Sequence, residues 1–198
     1  MRETKKTIFP QEGLMSVADF TDADLTRADF HGADLEGTCF DGARLERADF
    51  RAADLYWTRF LRAELGGADL EEADLRGAVL QEASLKCANL RRARLGPDNL
   101  FGPTNLEGAN CEGCDFLGAD LRGAILKNTN LRLTILRGAD LSAAPCDRHT
   151  DLTGADLCGA DLSDCQFDGA LFAGALYSRA TKFPAGFDPE RAGMHLVD

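Results

Sequence analysis

From Ala18 almost to its end the chain keeps a beat of five residues, Ala-Asp-Leu-x-x. It is plain at Ala23-Asp24-Leu25, Ala33-Asp34-Leu35, Ala68-Asp69-Leu70, Ala119-Asp120-Leu121 and Ala155-Asp156-Leu157. Five fits neither the helical period of 3.6 nor the strand period of 2. A large apolar residue marks each beat, at Phe20, Leu25, Phe30, Leu35 and every fifth position to Leu100. The phase then slips by one residue to Leu106, and again after Cys146 to Leu152, running on to Tyr177. Two residues before nearly every such centre stands a small residue, mostly Ala and sometimes Thr or Cys.

Residues two apart in an extended segment point to the same side. The small residue and the centre therefore face inward, and the residue between them faces out. Five residues make one side of a coil, with a turn at the corner. Burying one Leu or Phe contributes about 1.5–3 kcal/mol, whereas fixing five residues costs about 5–10 kcal/mol of backbone entropy. One side cannot stand alone, so stability must be collective, as in other solenoids, with capped ends.

The beat resembles that of the pentapeptide repeat family, whose motif is Ala-(Asp/Asn)-Leu-x-x, over about Ala18 to Ala180. The resemblance implies an all-β fold, a right-handed quadrilateral parallel β-helix. About eight coils of about 20 residues would give a rod roughly 38 Å long at the spacing of hydrogen-bonded strands. The expected organisation is an N-terminal cap over residues 1–17, the solenoid over 18–182 and a C-terminal cap over 183–198. Ile8, Phe9, Leu14 and Val17 are apolar enough to cover the first coil; Phe183, Phe187, Met194 and Leu196 would cover the last. Asp188-Pro189-Glu190-Arg191 has an N-cap Asp followed by Pro and reads as a short helix or turn. The tail from Thr181 to Pro189 resembles those of many cyanobacterial members.

The formal net charge is −11 and no basic cluster is present, which argues against ordinary nucleic-acid binding. Met1-Arg2-Glu3-Thr4-Lys5-Lys6 lacks an apolar signal core, and no stretch is long enough to span a membrane, so a cytoplasmic bacterial protein is expected. Seven Cys could suggest metal or disulfides. By the beat, however, Cys111, Cys114, Cys146 and Cys165 face the core as small hydrophobes. Cys39, Cys87 and Cys158 face outward. Cys111-x-x-Cys114 has no second pair at zinc spacing. His31, His149 and His195 fall far apart, and neither a nucleophile motif nor a phosphate loop occurs. No enzyme activity, cofactor, metal or small-molecule substrate is expected.

Three features stand out from the beat. Acidic residues align every fourth beat: Asp29, Asp49 and Asp69 on one side, Asp34, Asp54 and Asp74 on the next. The first column should continue through Asn89 to Asn110, the second through Arg94 to Asp115. Stacked like charges are unfavourable, unless each Asp bonds nearby backbone at its turn. Some members of the family resemble a DNA duplex in shape and charge and bind DNA gyrase, so this acidic face is a candidate DNA mimic. Yet −11 over such a rod is about half the charge density of duplex DNA, and Arg interleaves with the Asp. Quinolone-resistance members of the family carry longer projecting loops, and the known gyrase-binding members are dimers joined through a C-terminal element. The second feature is the pair of slips, Gly96–Pro103 and Ala144–Thr150, each read as a one-residue corner bulge, at adjacent corners flanking the side that carries Leu106 and Leu126. The third is Tyr56-Trp57, nominally outward and close to Leu61; exposed aromatic residues are enriched at interfaces. The chain therefore reads as a rigid, non-catalytic scaffold for an unknown protein partner, with Tyr56, Trp57 and Leu61 as candidate contacts. The alternative is a DNA mimic that binds gyrase or another DNA-binding protein.

Overall fold

A computed structural model describes residues 18–97, 102–145 and 148–197. The chain winds as a right-handed, four-sided parallel β-helix. The residue before each centre forms a parallel bridge to its counterpart one coil on: Asp19 to Cys39, Asp24 to Arg44, Asp29 to Asp49, Asp34 to Asp54. We name the four sides after Asp19, Asp24, Asp29 and Asp34. Each rung is bonded from both directions, as where Phe30 N–H donates to Asp49 O at 2.7 Å and Asp49 N–H to Ala28 O at 2.9 Å. Each corner closes with a bond such as Ala33 N–H to Phe30 O at 3.0 Å. The second corner residue is left-handed, as at Arg27 (φ 60°) and Gly32 (φ 64°).

The core is the one implied by the beat. The Leu and Phe centres and their Ala partners are almost wholly buried. Two aromatic stacks start the rod on opposite sides. Phe20, Phe40 and Phe60 stack at 5.2 Å spacings, Phe30 and Phe50 at 4.9 Å, and the two sets meet edge to face. Such pairs add about 0.5–1.5 kcal/mol each beyond their burial. Among the described residues, every buried side-chain nitrogen or oxygen has a hydrogen-bond partner.

The slips differ from the sequence reading. Rungs are 20 residues apart until Val79 pairs with Asn105 and Arg94 with Asp120, a spacing of 26. The same jump recurs where Ile125 pairs with Asp151 and Asp140 with Gln166. Each slip is thus six extra residues rather than one, because a whole beat fails to form a side. Leu95 closes one coil and Leu106 opens the next; Leu100 and Cys146 lie outside the described residues. Both insertions therefore leave from one and the same corner, between the Asp34 and Asp19 sides, not from adjacent corners. A third shift, of one residue, pairs Asp161 with Lys182.

The N-terminal cap assigned to residues 1–17 lies outside the described residues. At the other end β1 (Leu176–Tyr177) pairs in parallel with β2 (His195–Leu196), adding a partial rung. Between them the chain turns at Asp188, whose carboxylate accepts Arg191 N–H at 3.1 Å. Phe167, Phe172, Phe183 and Phe187 pack ring against ring over the last coil, with Met194 buried beside them. Leu196, expected to cover the core, is instead 47% exposed.

Candidate partner-binding edge and acidic sides

The acidic columns form as far as Asp69 and Asp74. Asp29, Asp49 and Asp69 stack on one side, and Asp34, Asp54 and Asp74 on the next. Each has a local role. Asp29 accepts His31 N–H at 3.2 Å, Asp34 accepts Glu36 N–H at 3.3 Å, and Asp49 accepts Arg51 N–H at 3.2 Å. Asp54 accepts Tyr56 N–H at 3.0 Å, Asp69 accepts Glu71 N–H at 3.2 Å, and Asp74 accepts Arg76 N–H at 3.3 Å. The carboxylate mimics a backbone acceptor and fixes the turn that follows it. Further along the same device holds Asp161, whose pKa falls to about 2 through hydrogen bonding from Ser163 and, against some burial, from Lys182.

Arginines then close over the columns. Arg51 binds Asp49 at 2.6 Å and approaches Asp69 at 3.6 Å; Asp74 is shared by Arg76 at 2.6 Å and Arg94 at 3.0 Å. Because of the six-residue insertions, the columns continue differently from the sequence reading. The Asp29 side runs on through Asn89, Asp115, Ile135 and Asp161, and the Asp34 side through Arg94, Asp120, Asp140 and Gln166. The corner residues after the Asp29 side run from Arg91 to Leu117 and Arg137. The coil of residues 78–97 holds Lys86, Arg91, Arg92 and Arg94 against the single carboxylate of Glu82.

Tyr56 and Trp57 stand at the corner between the Asp34 and Asp19 sides, the corner from which both insertions leave. Their rings stack at 5.2 Å, and the Arg76 guanidinium lies 5.5 Å from the Tyr56 ring centre. Both rings are half-buried rather than fully outward, Tyr56 lying under that arginine. Trp57 holds a left-handed φ of 59° where the same corner elsewhere has Gly37, Gly77, Gly123 and Gly169. Leu61 sits across the Asp19 side at its far corner, half-buried, its N–H bonded to Asp41 at 3.0 Å.

At each insertion a threonine repairs the ladder. Thr104, the first core residue after the first insertion, accepts Gly77 N–H at 3.1 Å and donates to Leu75 O at 2.9 Å. Thr150, after the second, accepts Gly123 N–H at 2.8 Å and directs its own proton to Ser142 O at 2.9 Å, with Leu121 O at 3.2 Å. Thr181 does the same at the one-residue shift, joining Gly159 N–H at 3.1 Å to Leu157 O at 2.9 Å. A Thr two residues before the next apolar centre was legible after each break, but Thr129 and Thr134 hold the same position in unbroken beats, so its meaning was not. The second insertion doubles back with an antiparallel bridge between Ala144 and Arg148, and His149 Nδ1 lies 2.7 Å from Gly169 O. Gly123 makes room for it: a Cβ there would lie 2.7 Å from the Cβ of Ala144.

The buried cysteines behave as core atoms. Cys114 and Cys165 point their thiols at the carbonyls of Leu85 and Leu136, at 2.9 and 2.8 Å. The Cys111 thiol is raised well above its ordinary pKa by its hydrogen bond with Cys114 and by burial; Cys165 is pushed up to about 12 by burial. Cys158, expected outward, is buried and pushed up to about 11 by that burial, then by Asp156. Cys87 is exposed and Cys39 half-buried. Among the described residues, no group of three or more His, Cys, Asp or Glu is placed to hold a metal ion, and no helix is long and apolar enough to cross a membrane.

A quadrilateral parallel β-helix with an Ala/Leu-Phe core and Asp-capped corners defines a pentapeptide-type solenoid. The chain belongs to the family of pentapeptide repeats, whose model matches eight copies over residues 15–42, 28–63, 59–96, 104–143 and 148–176. Among solved structures it is similar to HetL, a pentapeptide repeat protein involved in heterocyst differentiation regulation from the cyanobacterium Nostoc sp. strain PCC 7120. The identity is 30%, covering 89% of this chain and 80% of HetL, with a TM-score of 0.53. Another pentapeptide repeat protein of Nostoc PCC 7120 is 31% identical over 70% of this chain and 84% of its own, with a TM-score of 0.29. QnrB1, a plasmid-mediated fluoroquinolone resistance protein, is 22% identical over 90% of this chain and 85% of its own, with a TM-score of 0.42. No curated protein sequence matches the chain significantly.

Proposed function

We propose that this protein is a non-catalytic, cytoplasmic scaffold that binds a protein partner along the corner between its Asp34 and Asp19 sides. The observation that carries this reading is convergence. Tyr56-Trp57 and both six-residue insertions lie on that one corner, while the one-residue shift before Lys182 lies between the Asp24 and Asp29 sides. A regular solenoid has no structural need to gather them there. Aromatic and Arg side chains at Tyr56, Trp57 and Arg76 are the types enriched in interface hot spots. HetL, whose role is regulatory, offers a precedent for a regulatory rather than a chemical task.

DNA mimicry has less support. The Asp columns each serve a turn, and they are interrupted at Asn89 and Arg94 where the basic coil crosses them. Under this reading the protein leaves DNA supercoiling by gyrase uninhibited at micromolar concentration. The test is affinity capture from the native organism with wild-type and Trp57→Ser baits, read by mass spectrometry. A partner recovered by the wild type and lost by Trp57→Ser supports the edge; identical recoveries overturn it.

A further inference from the structure

The outward column of the Asp19 side has a symmetry of its own. From the second rung it reads Cys39, Arg59, Val79, Asn105, Ile125, Asp151, Leu171. Read from both ends toward Asn105, an apolar residue meets an apolar one, a cation meets an anion, and an apolar residue again meets an apolar one. Between Asp19 and Asp151 this column carries no carboxylate, unlike its neighbours. Leu171 is 41% exposed, the Arg59 side chain is 55% exposed, and the other members are half-buried.

We propose that this side binds a second copy of the chain, antiparallel, about a two-fold axis through Asn105. An isologous interface must be complementary to itself under its own rotation, and this column meets that condition in one register only. With the axis at Asn105, Val79 faces Ile125 of the second copy, Arg59 faces Asp151, and Cys39 faces Leu171. Moving the axis half a rung sets Arg59 on Ile125 and Cys39 on Asp151, burying each charge against a group that cannot pair it. A parallel arrangement sets Arg59 on Arg59.

Arg59 already pairs with Asp41, and Asp151 with Lys127 at 3.2 Å. The contact therefore joins two existing pairs into an alternating row of four charges rather than desolvating lone ions. On the adjoining corner, Glu82 of one copy comes level with Lys127 of the other. Glu107, which comes level with itself, is the one like-charge encounter there. On the other corner the same axis brings Tyr56-Trp57 level with the second insertion of the other copy, and the first insertion level with itself. The inference does not rest on the proposed partner site, although it would set two such edges side by side.

Magnitude limits the affinity. Six rungs of 4.8 Å by three extended residues give a strip roughly 29 by 10 Å. That is a few hundred Å² per copy, short of the ~800 Å² per partner of a standard stable interface. A weak, salt-sensitive, concentration-dependent dimer is expected.

Sedimentation equilibrium of the full chain at tens to hundreds of micromolar should show dimer. Arg59→Asp and Asp151→Arg should each weaken it about tenfold or more, and the two together should associate more tightly than either alone, short of the wild type because Asp41 and Lys127 then face like charges. Glu107→Gln should tighten it. Asp151→Asn keeps the acceptor for Thr153 N–H, so it removes the charge without loosening that turn. In parallel, Asn105→Cys should be linked across the axis by a short bismaleimide, well beyond the background given by the wild type and by Asn110→Cys on the next side. A monomeric mass throughout without cross-linking at Asn105→Cys overturns the proposal. So does a dimer indifferent to Arg59 and Asp151.

Discussion

Single hydroxyls do work in this fold that the repeat cannot do for itself. Where six residues are inserted, the backbone N–H of Gly77 or Gly123 in the coil beneath would lose its rung partner, and the Thr104 or Thr150 hydroxyl replaces it. A buried donor left unpaired costs about 1–3 kcal/mol. Thr104→Val, nearly the same shape without the hydroxyl, should therefore lower unfolding free energy by about that amount, whereas Thr104→Ser should cost clearly less; chemical denaturation of the two variants decides it. The acidic residues make a second residue-scale contribution. The Asp161 carboxyl is held at about 2 in the folded state by Ser163 and Lys182, below the ~3.9 of an unfolded Asp. Its contribution is fully present above the unfolded value and is lost as pH falls through about 2. Asp161→Asn should thus flatten the stability-pH curve between about pH 4 and 2, with a difference of no more than ~2 kcal/mol at neutral pH. These roles explain why Asp recurs before the centre: it fixes turns, whatever else its charge does.

At the scale of the coil side, the beat is legible residue by residue and the breaks are not. Phe20 to Leu95 could be assigned inward from spacing alone, and all but the first are buried or nearly so. Leu100 and Cys146 keep the same five-residue spacing, which is why each slip counts as one residue in the sequence. Only the bridges, from Val79 to Asn105 and from Ile125 to Asp151, reveal that each rung there spans 26 residues, a full beat more than the slip suggests. Spacing reports which residues could form a side; hydrogen bonding decides which do. If the insertion is an appendage, replacing Gly96–Pro103 by an Arg-Gly dipeptide, as at Arg76-Gly77, should restore the 20-residue rung. The melting temperature should then be unchanged or raised, with Thr104 no longer critical. A large loss of stability would mean that the loop is part of the core.

For the whole molecule, stability is a sum over stacked neighbours, so the ends matter more than any middle coil. The final coil is covered by Phe183, Phe187 and Met194, which pack on Phe167, Phe172 and Tyr177. Ending the chain after Lys182 would bare those rings and the open rung of β1. The truncated protein should melt lower by several degrees and aggregate at concentrations where the full chain stays soluble, as light scattering during a thermal ramp would show. Charge also has a whole-molecule pattern, since a basic coil crosses the acidic sides and ion pairs such as Arg92 with Glu71 and Glu72 link one coil to the next. The sequence gives the net charge, while the order in which opposite charges meet depends on which residues share a side. By itself the sequence determined the β-solenoid, its Leu, Phe and Ala core and the turn-forming Asp, because a strict period of five leaves the chain one way to bury its apolar residues. Only the tertiary structure decided that both insertions and Tyr56-Trp57 share one corner, and that the Asp19 side is self-complementary. Those facts depend on rung register, and register is set by hydrogen bonds between residues 20 or 26 apart, which no local pattern counts.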